Sequence, residues 1–241
     1  MIRSCRGSAP LLMVAALWPA ALASSERPVQ AQEGRGTASA PARPPAPSLA
    51  RPASPARPAN ADGFIQRWLI LEPIRVPAQL TESAVRTAVE KDFSVPATPL
   101  PADGQKVKVG DSELAWHAID TINYNVNLYH FAYAQNKPTS NVLFWAVTVV
   151  NAPREMRDVR LAIGSNAASV WWVNGREATA LYNDRQAVID DGVSKRLTLN
   201  KGANVIRAAI VNAGGATDFC ARFLDENDRP IKALTATLTT R

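Results

Sequence analysis

The chain is predicted to be mostly β, a jelly-roll β-sandwich with one short N-terminal helix, on three observations. Short runs rich in Val, Ile, Trp and Phe recur from Leu114 to Leu238, each bounded by Gly, Asn, Asp or Pro. Regular strands of that kind build sandwiches and jelly rolls. Asn174-Gly175 separates two such runs, residues 170–173 and 177–182, and Asn-Gly tolerates the positive φ that a type I′ hairpin needs at both central positions. Only residues 81–91 carry a helical spacing of apolar side chains.

The elements follow in order. Residues 64–71 read as a strand, ended by Pro73 and Pro77, because proline cannot donate to a ladder. Thr81 stands at an N-cap position, Glu82 suits the positive helix end, and Ala84, Val85, Ala88 and Val89 share one face. Gly110-Asp111 turns one hairpin, and residues 114–119 are the next strand. Residues 123–128 alternate polar and apolar, so Asn123, Asn125 and Asn127 are expected on the wet face of a strand. Residues 142–150 are almost wholly apolar, which suits a central strand. Residues 159–163, 170–173, 205–211, 219–224 and 234–238 complete the set. Trp171 and Trp172 are neighbours on one strand and must point to opposite faces. One is expected in the core, the other exposed or under the helix.

The first 23 residues read as a secretory signal peptide: Arg3 and Arg6, an apolar run over 11–22, then Ala21-Leu22-Ala23. Val29-Gln30-Ala31 is a second candidate cleavage site, which would place the end at residue 31 instead. The run falls short of the ~20 apolar residues of a spanning helix, so the chain is read as exported, periplasmic or extracellular, and not membrane-spanning. Residues 32–61, rich in Pro, Ala, Ser and Arg, read as a disordered tether, and residues 62–241 as one domain. Seven of the 27 basic residues and two of the 21 acidic ones lie in residues 1–61, which leaves 20 against 19. A nearly neutral domain gives no ground for nucleic-acid binding. One of the two cysteines, Cys5, lies in the leader, so Cys220 has no internal disulfide partner.

The order of motifs resembles the galactose-binding-like jelly-roll modules of bacterial polysaccharide-degrading systems. Trp68 to Pro73, Trp172 to Gly175, Leu199 to Asn204 and Phe219 to Arg222 carry the likeness. Where those modules often place two acids before the hairpin, this chain has Gly164-Ser165-Asn166-Ala167-Ala168. The chain also resembles secreted proteins labelled acetylxylan esterase, which implies an ester-cleaving activity on acetylated xylan.

An esterase needs a nucleophile, a base and oxyanion donors. The elbow Gly-x-Ser-x-Gly is absent. Gly110-Asp111-Ser112 has no late histidine to serve it and reads as a turn. Ser165, with Asn166 as donor, and His130, in its aromatic setting, are the weak catalytic candidates. Cys220 reads as a small buried residue. Two histidines without metal-ligand spacing give no zinc site, and no cofactor is implied. Asp190 and Asp191 are weak candidates for structural calcium.

Sugars are held by aromatic faces and planar polar groups. Trp172, Asn174, Arg176, Asn183 and Asp184 lie at or near the Asn-Gly hairpin and are the candidate ligand-binding residues. The preferred reading is a non-catalytic saccharide-binding module for a polysaccharide or oligosaccharide. The alternatives are the esterase and a cell-envelope structural or protein-interaction domain.

Overall fold

The computed structural model describes residues 49–77, 79–95 and 98–240. The expected signal peptide and residues 32–48 of the tether lie outside the described residues. The chain runs through β1 (Leu49–Ala50), β2 (Arg57–Pro58), β3 (Arg67–Leu71), β4 (Ile74–Arg75), helix α1 (Glu82–Thr87), β5 (Lys106–Val109), β6 (Ser112–Thr121) and β7 (Val126–Asn127). Helix α2 (Leu128–Ala134), β8 (Val142–Ala152), β9 (Met156–Asn166), β10 (Ala168–Val173) and β11 (Arg176–Leu181) follow. Strands β12 (Gly192–Val193), β13 (Leu197–Leu199), β14 (Gly202–Asn212), β15 (Asp218–Leu224) and β16 (Thr235–Thr237) close the order.

Two antiparallel sheets make a β-sandwich. The larger is ordered β1-β6-β3-β8-β14-β10-β11, with β2, β4, β5 and β16 attached beside that path; the smaller is β12-β9-β15-β7, with β13 on β9. The period of two decides which side chains meet. From the large sheet Trp68, Ile70, Phe144, Ala146, Trp171 and Ile206 face the small sheet, and Leu161, Ile163, Phe219 and Phe223 face back. Trp68, Trp171 and Phe219 lie edge-on to one another, with centroids 5.0 to 6.0 Å apart. Such pairs are worth about 0.5–1.5 kcal/mol beyond their area. The indole nitrogens are satisfied, Trp68 donating to Ile65 O at 3.0 Å and Trp171 to Ser169 Oγ at 2.9 Å.

The residues between these make a second core. Leu69, Leu71, Trp116, Leu143, Trp145, Val147, Val170 and Ala209 of the large sheet pack on its other side in one cluster with Val85 and Val89 of the helical segment. This is why β8 is apolar on both faces, as its sequence predicts. It also settles the tryptophan pair: Trp171 is fully buried between the sheets, and Trp172 packs with the second cluster beside Trp145.

Three expectations change. Residues 123–128 supply only the two-residue β7, because Asn127 caps α2, its Oδ1 accepting from His130 N at 2.7 Å. The cap and the Leu128, Phe131, Ala132 spacing override the alternation. There are thus two short helices among the described residues, not one. Thr81 occupies the α1 N-cap without a side-chain bond, and a π-turn over Ala88–Asp92 extends that helix. Residues 49–61, expected in the tether, join the sheet instead: β1 pairs with Asp120 and Thr121, β2 with Thr235 and Ala236. An extended Pro-rich segment suits a sheet margin, and Ser54 O there accepts from the buried Arg67 at 2.7 Å.

Candidate functional site: a polar groove at the sandwich edge

Val173 pairs with Arg176 across Asn174-Gly175, and both turn residues have positive φ, 50° and 78°. The hairpin is therefore the expected two-residue turn. A second turn stands against it. Asn204, fully buried, donates to Asn200 O at 2.8 Å and Gly202 O at 3.0 Å, and accepts from Asn200 N at 2.8 Å. Its Oδ1 also takes Asn174 Nδ2 at 2.9 Å, while Asn174 Oδ1 accepts from Val205 N at 2.9 Å. The Leu-x-x-Gly-x-Asn segment is thus a self-closed turn that holds the Asn-Gly hairpin in place.

Between this corner and β13 opens a groove of ≈ 680 Å³. Its apolar lining is Val173, Ala178 and Leu197; Asn174, Arg176, Lys195, Thr198 and Asn200 supply polar atoms. Glu177 and Arg196 also border it, but both are engaged. Arg86 grips Glu177 through two nitrogens at 3.0 Å each. Arg196 donates to Asp158 O and lies 3.3 Å from Asp228 Oδ1. Asn174 is consumed by the two turns. The side chains of Arg176, Lys195, Thr198 and Asn200 have no hydrogen-bond or ion-pair partner among the described residues.

The structure brings Asn174 and Arg176 to the groove and leaves the other candidates outside it. Trp172 projects to the opposite face, its ring 5.8 Å from Trp145 and 5.8 Å from the Arg207 guanidinium. Arg207 lies closer still to Trp145, at 3.9 Å, and burial pulls it down to about 10. Asn183 and Asp184 stand past the far end of β11, where Asn183 N donates to Leu80 O at 2.7 Å. The missed residues, Lys195, Thr198 and Asn200, lie on and around β13. That strand pairs with β9 of the small sheet, so nothing local in the sequence joins it to the hairpin.

The catalytic candidates sit apart. Ser165 is buried, donates to Ala167 O at 2.8 Å and lies 2.7 Å from Ser169 Oγ. Cys220 is buried, and burial pushes its thiol up to about 12. Ser112 is exposed beside the Gly110-Asp111 turn, paired with Val109. His130 and His117 line a second, smaller cavity of ≈ 180 Å³ with Asp103, Phe131 and Gln135. His130 Nδ1 is buried without a hydrogen-bond partner among the described residues, and His117 Nε2 is 3.4 Å from Glu72. None of the three nucleophile candidates lines that cavity.

The two calcium candidates are both engaged in ion pairs. Asp190 is held by Arg222 through two nitrogens, and Asp191 by Arg185. Both carboxylates are thus neutralised by guanidinium groups, and no cluster of three or more His, Cys, Asp or Glu suited to a metal occurs among the described residues.

No protein-family model and no curated protein matches the chain. Solved structures that resemble it include a PA14 sugar-binding domain from an RTX adhesin, with a TM-score of 0.41 at 11% identity over 69% of this chain and 94% of that one. The PA14 domain of the antifreeze protein MpAFP gives 0.41 at 12% identity over 72% and 92%. A β-glucosidase from Kluyveromyces marxianus gives 0.36 at 20% identity, over 63% of this chain and 19% of that one.

Proposed function

We propose that the chain is an exported, non-catalytic module that holds a saccharide in the β10–β11/β13 groove. The observation that carries this reading is the set of unengaged donors and acceptors, Arg176, Lys195, Thr198 and Asn200, around an aliphatic floor. Free planar and hydroxyl groups match sugar hydroxyls, and Val173, Ala178 and Leu197 match the C–H surface of a ring. The volume falls within the ~300–1,000 Å³ of small-molecule sites. Export rests on the N-terminal pattern, and no described helix is long and apolar enough to cross a membrane. The ester-cleaving alternative asks for an imidazole beside a hydroxyl or thiol. Ser165 and Cys220 are instead buried among their own partners.

The test is a soluble-oligosaccharide binding screen of the full chain, alongside the variant Thr198→Trp, which fills the groove. Binding is expected in the parent and lost in the filled variant, with unchanged melting. Acetate release from acetylated xylan that His130→Ala abolishes would overturn the reading.

A further inference from the structure

We infer that the groove takes an acidic saccharide, its carboxylate or sulfate held between Arg176 and Lys195. This rests on the groove being the saccharide site. Four cationic or anionic side chains border it, and their pairing decides its sign. The Glu177 carboxylate is closed by both nitrogens of the Arg86 fork, and Arg196 is turned to Asp228 and the Asp158 carbonyl. Arg176 and Lys195 are left exposed and without an ion-pair partner among the described residues, one from the hairpin and one from the segment before β13. The groove is therefore positive although residues 62–241 are nearly neutral.

Among the described residues the lining has no aromatic side chain, so a neutral sugar finds no stacking face there. The strong contacts that remain are charge-assisted hydrogen bonds, for which the planar guanidinium fork fits an oxyanion. Thr198 and Asn200 stand beside the two cations to take ring hydroxyls. Single-stranded nucleic acid is a poorer match, because its recognition needs a cationic track along the backbone and aromatic rings under the bases.

The experiment measures binding of the full chain to four probes: a xylo-oligosaccharide, the same oligosaccharide bearing glucuronic acid, a sulfated oligosaccharide and a single-stranded DNA 10-mer. Arg176→Gln, Lys195→Gln and the double variant are run in parallel, with melting curves as the check on folding. The acidic sugars are expected to bind at least about tenfold more tightly than the neutral one, and to weaken about tenfold with each neutralised cation. The preference between the two acidic probes then tells carboxylate from sulfate. Equal binding of neutral and acidic sugars overturns this inference and leaves the saccharide reading standing. DNA binding as tight as the acidic sugars, with the same response to the variants, also overturns it. No saccharide binding at all removes both.

Discussion

Asp120→Asn is the sharpest test of how this sandwich is held. Arg67 is 1% exposed on β3. It grips Asp120 of β6 through Nε–Oδ1 and Nη2–Oδ2 contacts of 2.8 Å each. Arg57 of β2 adds a third contact at 3.2 Å, so one carboxylate ties the residue-49–61 margin to the sheet. Asparagine keeps the shape, removes the charge and turns an N–H₂ toward Nη2. Breaking one half of a buried pair costs about 3–5 kcal/mol. The retained bond from Arg67 Nη1 to Ser54 O and the 12% exposure of the Asp120 side chain favour the lower end, about 3 kcal/mol. At about 2–4 °C per kcal/mol for a chain of this size, melting should fall by about 6–12 °C.

The pH dependence fixes the cause. Burial pushes the Asp120 carboxyl up, but Arg67 and Arg57 outweigh it and hold it below its ordinary 3.8. A folded value below the unfolded one stabilises above the unfolded value and is lost as pH falls through the folded one. Urea titrations at pH 7 and pH 3 should therefore show a gap between parent and variant that is full at pH 7 and narrower at pH 3. A gap that is absent at pH 7, or unchanged between the two, refutes the ion-pair account.

Four other substitutions probe three separate parts of the fold. Gly164→Ala places a Cβ 2.0 Å from Val188 O and 3.2 Å from Cys220 Sγ; displacement of that loop should cost about 1–3 kcal/mol and make Cys220, buried in the parent, react faster with a thiol reagent in native buffer. Asn204→Ala strands the backbone groups of the 200–204 turn and should cost about 1–3 kcal/mol in urea, while loosening the groove wall enough to weaken saccharide binding. Trp171→Ala should cost about 3–5 kcal/mol in the same titration, as a fully buried tryptophan does; Trp172→Ala, half-buried on Trp145, should cost less, and equal losses would contradict the two-face assignment.

What was legible in the sequence was whatever depends on near neighbours. The period of two placed Trp171 and Trp172 on opposite faces, and the almost wholly apolar run over 142–150 announced a strand covered on both sides, as β8 is. Asn174-Gly175 gave its turn because the preference lies in the residues' own φ. Residues 123–128 misled for the same local reason: alternation was read, while the cap at Asn127 acts on the amide of His130, beyond the alternating window. Asp190 and Asp191 looked like oxygen ligands because their partners Arg222 and Arg185 are visible only once the chain is folded, with Arg222 lying 32 residues from Asp190.

The same limit explains the site. Sequence offered Trp172, Asn174, Arg176, Asn183 and Asp184 as ligand contacts, yet a side chain is available only if the fold has not used it. Asn174 is consumed by the Asn204 turn, Glu177 by Arg86 and Arg196 by Asp228. Trp172, the aromatic half of the expected sugar contact, is spent on the second core. Arg176 remains, and it acquires Lys195, Thr198 and Asn200 as neighbours because β13 pairs with the opposite sheet. What packing leaves over at this edge is therefore cations and hydroxyl-binding groups, and if the edge is a saccharide site as proposed, that combination selects for charge on the ligand rather than for an apolar sugar face.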